Sequence, residues 1–336
     1  MTDETGALAD LRTLDDILGR ASHRDALRPE DARSGAHFER LVIDGQRYFL
    51  KVLSSEADWI MRVTGNTTNW EHIVWTAGLY HRCPPQVDHA MVAMVLDRVD
   101  GTDRLAMLMH DRAADLVPPG DEQLPPAQHD RFIDHMACFH AEFLGWRDTL
   151  GLNDMEHRLL FFAPATIRDE LRVADVPGPV RVADEGWRVL PERSPSLDAL
   201  VRTVHAEPSQ LSDAVRTTPA TFVAGDWKMG NLGSRADGRT VLLDWAYPGE
   251  APPCWELMWY LALNRARLPV TKEQCIADYR AALERHGVDT TGWFERQLGL
   301  CTVGIMATFA WEKAVGDETE LRWWEAAATE GARWLS

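Results

Sequence analysis

The sequence predicts an α+β protein of two lobes: a small antiparallel-sheet N-terminal lobe with one key helix, and a larger, mainly helical C-terminal lobe. Three observations predict it. The chain has 336 residues, beyond the length at which one hydrophobic core usually stops growing. Residues from about 36 to 112 read as strand, strand, helix, strand, strand. After a proline-rich stretch, helical spacing of apolar residues dominates.

The first element is the stripe Leu8, Leu11, Leu14, Ile17 and Leu18 in "LADLRTLDDIL", whose spacing predicts an amphipathic helix covering the first lobe. In "FERLVIDGQRYFLKVL" two apolar runs flank Asp44-Gly45, a dipeptide suited to the positive φ angles of a two-residue hairpin turn. "TNWEHIVWTAGLY" places Trp70, Ile73, Val74 and Ala77 on one helical face with Glu71 at its flank. "AMVAMVLDRVDGTDRLAMLMHD" reads as two strands around an Asp100-Gly101 turn. The lobe boundary is expected near residue 112, giving domains 1–112 and 113–336.

Beyond it, "DRFIDHMACFHAEFLGW" returns to helical spacing through Phe132, Ile133, Met136, His140 and Phe143. Residues 174–220 carry prolines and weak periodicity. "TFV" reads as a strand, "VLL" as another, and "PPCWELMWYLALN" and the segments from 273 onward as helices.

Composition narrows the function. A net charge of −17 argues against a nucleic-acid or anionic-membrane partner, since both require a basic face. Five scattered cysteines with no CxxC pair read as reduced thiols rather than a disulfide framework or zinc site. The acidic N-terminus lacks a signal-peptide layout, and "GLCTVGIMATFAW" is too short for a membrane span. A cytoplasmic protein is expected.

The chemistry concentrates in "AGDWKMGN" and "LLDW". Asp226, Lys228 and Asn231 follow the D-x-K-x-x-N spacing of protein kinases, and Asp244 ends a second short strand. Two carboxylates and an amide supply hard oxygen ligands for Mg²⁺ and a spare carboxylate to orient an attacking hydroxyl. The chain has only four lysines, Lys51, Lys228, Lys272 and Lys313, among 35 basic residues. Two of them fall in the expected site. Lys51, on the second hairpin strand, is expected to project into a cleft toward the α- and β-phosphates, with Glu71 as the carboxylate that fixes its direction.

Together these residues resemble the aminoglycoside phosphotransferase and choline kinase-like group, over roughly residues 34–262. The resemblance implies a two-lobed protein kinase-like fold and an enzyme that moves the γ-phosphate of ATP to a hydroxyl of a small molecule: an aminoglycoside, an amino sugar, another antibiotic or an amino alcohol. It implies that Asp226 is the catalytic base, helped by Lys228, and that Asn231 and Asp244 bind Mg²⁺. Lys51 and Glu71 then serve the nucleotide, and "LMHDRAA", with His110 and Arg112, is the hinge whose backbone meets adenine. His140 in "ACFHAEF" takes the place of a histidine that ends a family helix.

Several positions depart from the family. Ala224 stands where a histidine is usual two residues before the catalytic acid, Glu256 replaces an aspartate, and no GxGxxG is present, with Gly35 in "RSGAHFERL" the one candidate. Two competing readings stay open: a scaffold that binds nucleotide without catalysis, and a protein kinase, against which stand the missing glycine-rich loop and "LLDW" where DFG would be. Trp227 and Trp245 each follow a site acid, and at least one is expected to brace its loop. Glu250, Trp311 and Glu312 are candidate acceptor contacts. The acceptor, cationic or not, and the oligomeric state are not legible.

Overall fold

A computed structural model describes residues 8, 10–27, 35–99 and 101–335. It divides into two compact units, Met1–Gly120 with Gly230–Trp245, and Asp121–Met229 with Ala246–Ser336.

The first unit is built on a five-stranded antiparallel sheet of β1 (Ala21–Leu27), β2 (His37–Ile43), β3 (Gln46–Leu53), β5 (Met91–Val99) and β6 (Thr102–His110), in the order β1-β2-β3-β6-β5. β2 and β3 meet through the expected turn, with Asp44 at φ 51° and Gly45 at φ 79°, the two positive angles a tight hairpin requires. β5 and β6 pair from Met91↔Met109 to Val99↔Thr102; of the predicted turn between them, Asp100 lies outside the described residues. β1 carries no hydrophobic alternation because it is an edge strand exposed along most of its length.

The N-terminal helix α1 (Leu14–Gly19) is shorter than its apolar stripe. Thr13 accepts a hydrogen bond from the Asp16 N–H while Asp16 reaches back to the Thr13 N–H, a capping box that fixes the start at Leu14. Leu8, Leu11 and Ile17 still join one core with Leu41, Ile43, Leu50, Val95 and Leu108 of the sheet. Gly35 is a packing glycine: a Cβ there would lie 1.9 Å from the Ala57 carbonyl oxygen.

Between β3 and β5 lie α2 (Trp59–Thr64), capped by Asp58, then α3 (Trp70–Thr76) and the two-residue strand β4 (Val87–Asp88). The buried face of α3 is Trp70, Glu71 and Val74, whereas Ala77 is exposed. Glu71 therefore points inward instead of sitting at the flank of an apolar stripe. The strands β8 (Leu232–Ser234) and β9 (Thr240–Leu242) complete the unit in a sheet of order β4-β9-β8. That pairing corrects the expected boundary at 112. Residues 113–120 stay with the first unit through the Leu116↔Gly233 bridge, and the hairpin of 230–245 belongs there because β9 pairs with β4.

The second unit is mainly helical. α4 (Pro126–Glu142) buries Phe132, Ile133, Met136 and His140, as its spacing predicts. α5 (Met155–Leu160) and α6 (Pro164–Glu170) follow. The weakly periodic stretch from 174 to 220 is three helices, α7 (Gly178–Arg193), α8 (Pro195–Ala206) and α9 (Pro208–Arg216), each with a proline in its first turn. There the missing N–H costs nothing and the fixed φ suits a helix start. β7 (Thr221–Val223) pairs with β10 (Gly249–Ala251), and α10 (Pro253–Leu263), α11 (Lys272–Arg285), α12 (Phe294–Val315) and α13 (Glu318–Ala332) finish the unit. α12 extends well beyond the short apolar run read from sequence. Its 22 residues are long and apolar enough to cross a membrane, but 78% of its apolar window is buried inside the fold.

Candidate active site

In the first unit, strand pairing carries Lys51 opposite Met107 of β6. Its ammonium is buried and bonds the Asp244 carboxylate at 2.6 Å. Burial works against that charge, but Asp244, Glu71 and Asp58 outweigh it and hold the Lys51 pKa above its ordinary value. The direct partner of Lys51 is thus Asp244, which corrects the expected Lys51–Glu71 pair. Glu71 instead accepts a hydrogen bond from the Asn66 side-chain amide at 3.0 Å. Asn66 in turn accepts from the Trp70 N–H at 2.9 Å, so it fixes both the helix start and the carboxylate. Burial pushes the Glu71 pKa up to about 7 despite Lys51 and Asn66.

Asp244 sits at φ 56°, a left-handed conformation that aspartate tolerates better than most residues. The next residue holds it there: Trp245 stacks on Tyr80 at 4.2 Å between ring centroids, and its indole donates to the Leu242 carbonyl. One of the two tryptophans beside a site acid therefore braces its loop. Asn231 is joined to the same segment, its carbonyl accepting the Leu243 N–H at 2.9 Å.

His110 ends β6 and stacks on Tyr48 at 5.6 Å. The Arg112 guanidinium pairs with Asp88 at 3.0 Å, and Arg235 reaches the same carboxylate at 2.9 Å. The Arg112 side chain is therefore a brace between this segment and β4.

In the second unit, Asp226 follows β7 and is 2% exposed. One carboxylate oxygen accepts the Trp259 indole N–H at 2.9 Å, and the other pairs with Lys228 at 2.7 Å. Gly225, at φ 93°, lets the loop approach Tyr247: a Cβ there would lie 2.2 Å from the Tyr247 carbonyl oxygen. Its N–H donates to Glu256 at 2.6 Å. The other Glu256 oxygen meets His140 Nε2 at 2.8 Å, and His140 Nδ1 meets the Tyr279 hydroxyl at 2.6 Å. With Ala224 unable to hydrogen-bond through its side chain, α10 and α4 hold this loop from outside.

The candidate acceptor residues divide. Glu250 is engaged by Arg147 at 2.6 Å and by the Asp148 N–H at 2.8 Å, and Glu312 by Lys313 at 2.7 Å. Trp311 ends a run of ring contacts that starts at Asp226, from Trp259 to Phe309 at 4.8 Å, to Phe162 at 5.9 Å and to Trp311 at 6.1 Å. Trp259 and Asn66 were not identified from sequence. Trp259 carries no local signal, since it lies 33 residues from its partner, whereas Asn66 lies five residues before Glu71 and four before Trp70.

Among the described residues, no group of three or more His, Cys, Asp or Glu could hold a metal. Asn231 and Asp244 supply one amide and one carboxylate, and they flank the same end of the β8–β9 pair. That set fits a hard divalent ion that keeps several waters and is otherwise held by phosphates.

No protein-family model and no curated protein matches the chain. Solved structures do. The microcompartment-associated aminopropanol kinase aligns with a TM-score of 0.54 at 11% identity, covering 94% of each chain. LicA in complex with AMP aligns at 0.50 and 11%, covering 96% of this chain and 95% of that one. Amicoumacin kinase hAmiN in complex with AMP-PNP, Ca²⁺ and Ami aligns at 0.50 and 13%, covering 100% and 95%. At these identities the likeness establishes the fold: a protein kinase-like chain with an antiparallel N-terminal sheet and a mostly helical C-terminal part.

Proposed function

We propose that this chain is an ATP-dependent phosphotransferase that moves the γ-phosphate to a hydroxyl of a small, amine-bearing molecule. The observation that carries the reading is the state of the four charged groups. Lys51 is buried against Asp244, and Lys228 is set against Asp226, in a fold shared with an aminopropanol kinase and an amicoumacin kinase. A buried lysine held charged by carboxylates is a costly arrangement that a phosphate ligand turns to use.

Asp226 orients the acceptor hydroxyl and takes its proton as the oxygen attacks the γ-phosphorus. The bond to the β–γ bridging oxygen breaks and ADP leaves. Lys51 and Lys228 neutralise phosphate charge. Asn231 and Asp244 would hold Mg²⁺, which supplies further charge neutralisation on the phosphates. Glu71 attracts the Lys51 ammonium from a distance, and the backbone of the segment from His110 to Arg112 is the proposed adenine contact. In keeping with a soluble small-molecule kinase, we place the protein in the cytoplasm.

The test is ADP release from Mg²⁺-ATP with a panel of amino alcohols, amino sugars, aminoglycosides and peptide antibiotics, with Asp226→Asn alongside. Stimulation by one acceptor, lost in the folded variant, supports the reading. ATP binding with no transfer to any acceptor favours a non-catalytic scaffold, and phosphate on a protein substrate alone favours a protein kinase.

A further inference from the structure

The carboxylate plane of an aspartate is weakly fixed by its own rotamer, because the terminal torsion is broad. A base that must align a hydroxyl needs that plane held from outside. In Asp226 one oxygen is held by Lys228, whose side chain is 38% exposed. That anchor is on a flexible stem, and in the reaction proposed above it also serves a phosphate. The other oxygen is held by Trp259.

Trp259 differs from Lys228 in each respect. It is 2% exposed and lies against Tyr247 at 5.3 Å and Phe309 at 4.8 Å. It sits on α10 three residues after Glu256, which holds the N–H of Gly225. The same helix therefore grips two consecutive residues of the loop, one by its backbone and one by its carboxylate. An indole N–H only donates, so it stabilises the carboxylate without offering a site for the acceptor proton.

We infer that Trp259 is a positioning residue for phosphoryl transfer, a fixed contact that holds the Asp226 carboxylate in place when Lys228 turns to the nucleotide. The inference rests on the proposed kinase activity. It requires that the effect of Trp259 run through Asp226 and fall on turnover, not on substrate binding.

Trp259→Phe keeps a ring against Tyr247 and Phe309 and removes the donor. The expected result is a fall in kcat of about ten- to a hundredfold, the range for a hydrogen bond to a charged group. KM for ATP and for the acceptor should stay within about twofold. In the Asp226→Asn background the same change should have no further effect on residual turnover. A second measurement leaves Trp259 in place: one indole N–H resonance in the ¹H–¹⁵N spectrum should move in Asp226→Asn. An active wild type with an equally active Trp259→Phe, or an indole spectrum that ignores Asp226→Asn, overturns this inference alone. A wild type inactive with every acceptor overturns the kinase reading and this role with it.

Discussion

Glu256 accepts the Gly225 N–H at 2.6 Å, and neither its carboxylate nor its His140 partner is exposed. The contact joins α10 to the residue before Asp226, so the loop depends on a buried carboxylate 31 residues downstream. Glu256→Ala leaves the Gly225 N–H and a ring nitrogen of His140 buried and unpaired, and should cost about 3–5 kcal/mol. Glu256→Gln keeps an acceptor for Gly225 and should cost about 1 kcal/mol. Urea denaturation of both variants checks the order; equal losses would mean that the carboxylate charge, not the Gly225 acceptor, holds the loop.

Lys51 and Asp244 are 193 residues apart in sequence and 2.6 Å apart in space. Lys51→Met removes a buried charge together with its attraction to Asp244, which keeps a third of its side chain exposed to water, so the two effects offset and stability should change by no more than about 2 kcal/mol. Its effect belongs to the ligand. Saturating Mg²⁺-ATP should raise the melting temperature of the wild type by mass action and leave that of Lys51→Met nearly unmoved. An equal rise in both would remove Lys51 from the nucleotide site.

What was legible in the sequence follows from how local each interaction is. The β2–β3 hairpin was readable because Asp44-Gly45 carries its own backbone preference. The D-x-K-x-x-N triplet was readable because Asp226, Lys228 and Asn231 lie within six residues. The partner of Lys51 was not, because Asp244 and Glu71 are both acids at long range and only packing decides between them. The stretch 174–220 shows only weak apolar periodicity around its prolines, although those at 177, 195 and 208 each border or open a helix; a proline can break a helix or start one. A proline is the same residue in both uses, and its position relative to the first turn is what differs.

Arg158 is fully buried, and its Nε and Nη1 find no protein partner, while Nη2 donates to the Asn153 carbonyl at 3.3 Å. Burial lowers its pKa to about 10, although Glu256, Asp154 and Asp148 pull it back up. A buried cation without a paired carboxylate is costly, and an apolar side chain of similar length avoids that cost. Arg158→Met should therefore stabilise the chain by about 1–3 kcal/mol. A loss of stability in urea titrations would show that the attraction of Glu256, Asp154 and Asp148, or water on the free N–H groups, outweighs the cost of burial.

Glu71 gives the fold a pH dependence of definite sign. Its folded pKa is about 7 against an ordinary 4.5, because burial disfavours the carboxylate more than Lys51 and the Asn66 amide favour it, with Asp244 adding repulsion. Between these values the folded state holds a proton that the unfolded chain releases. Stability from this group is present at low pH, declines as pH rises from about 4.5 to about 7, and is constant above. The full span corresponds to about 3 kcal/mol. Glu71→Gln keeps the shape and removes the titration, so the wild type should lose stability relative to this variant from pH 5.5 to 8 in chemical denaturation. A constant difference across that range would mean that Glu71 is ionised throughout, with the Lys51 ammonium winning over burial.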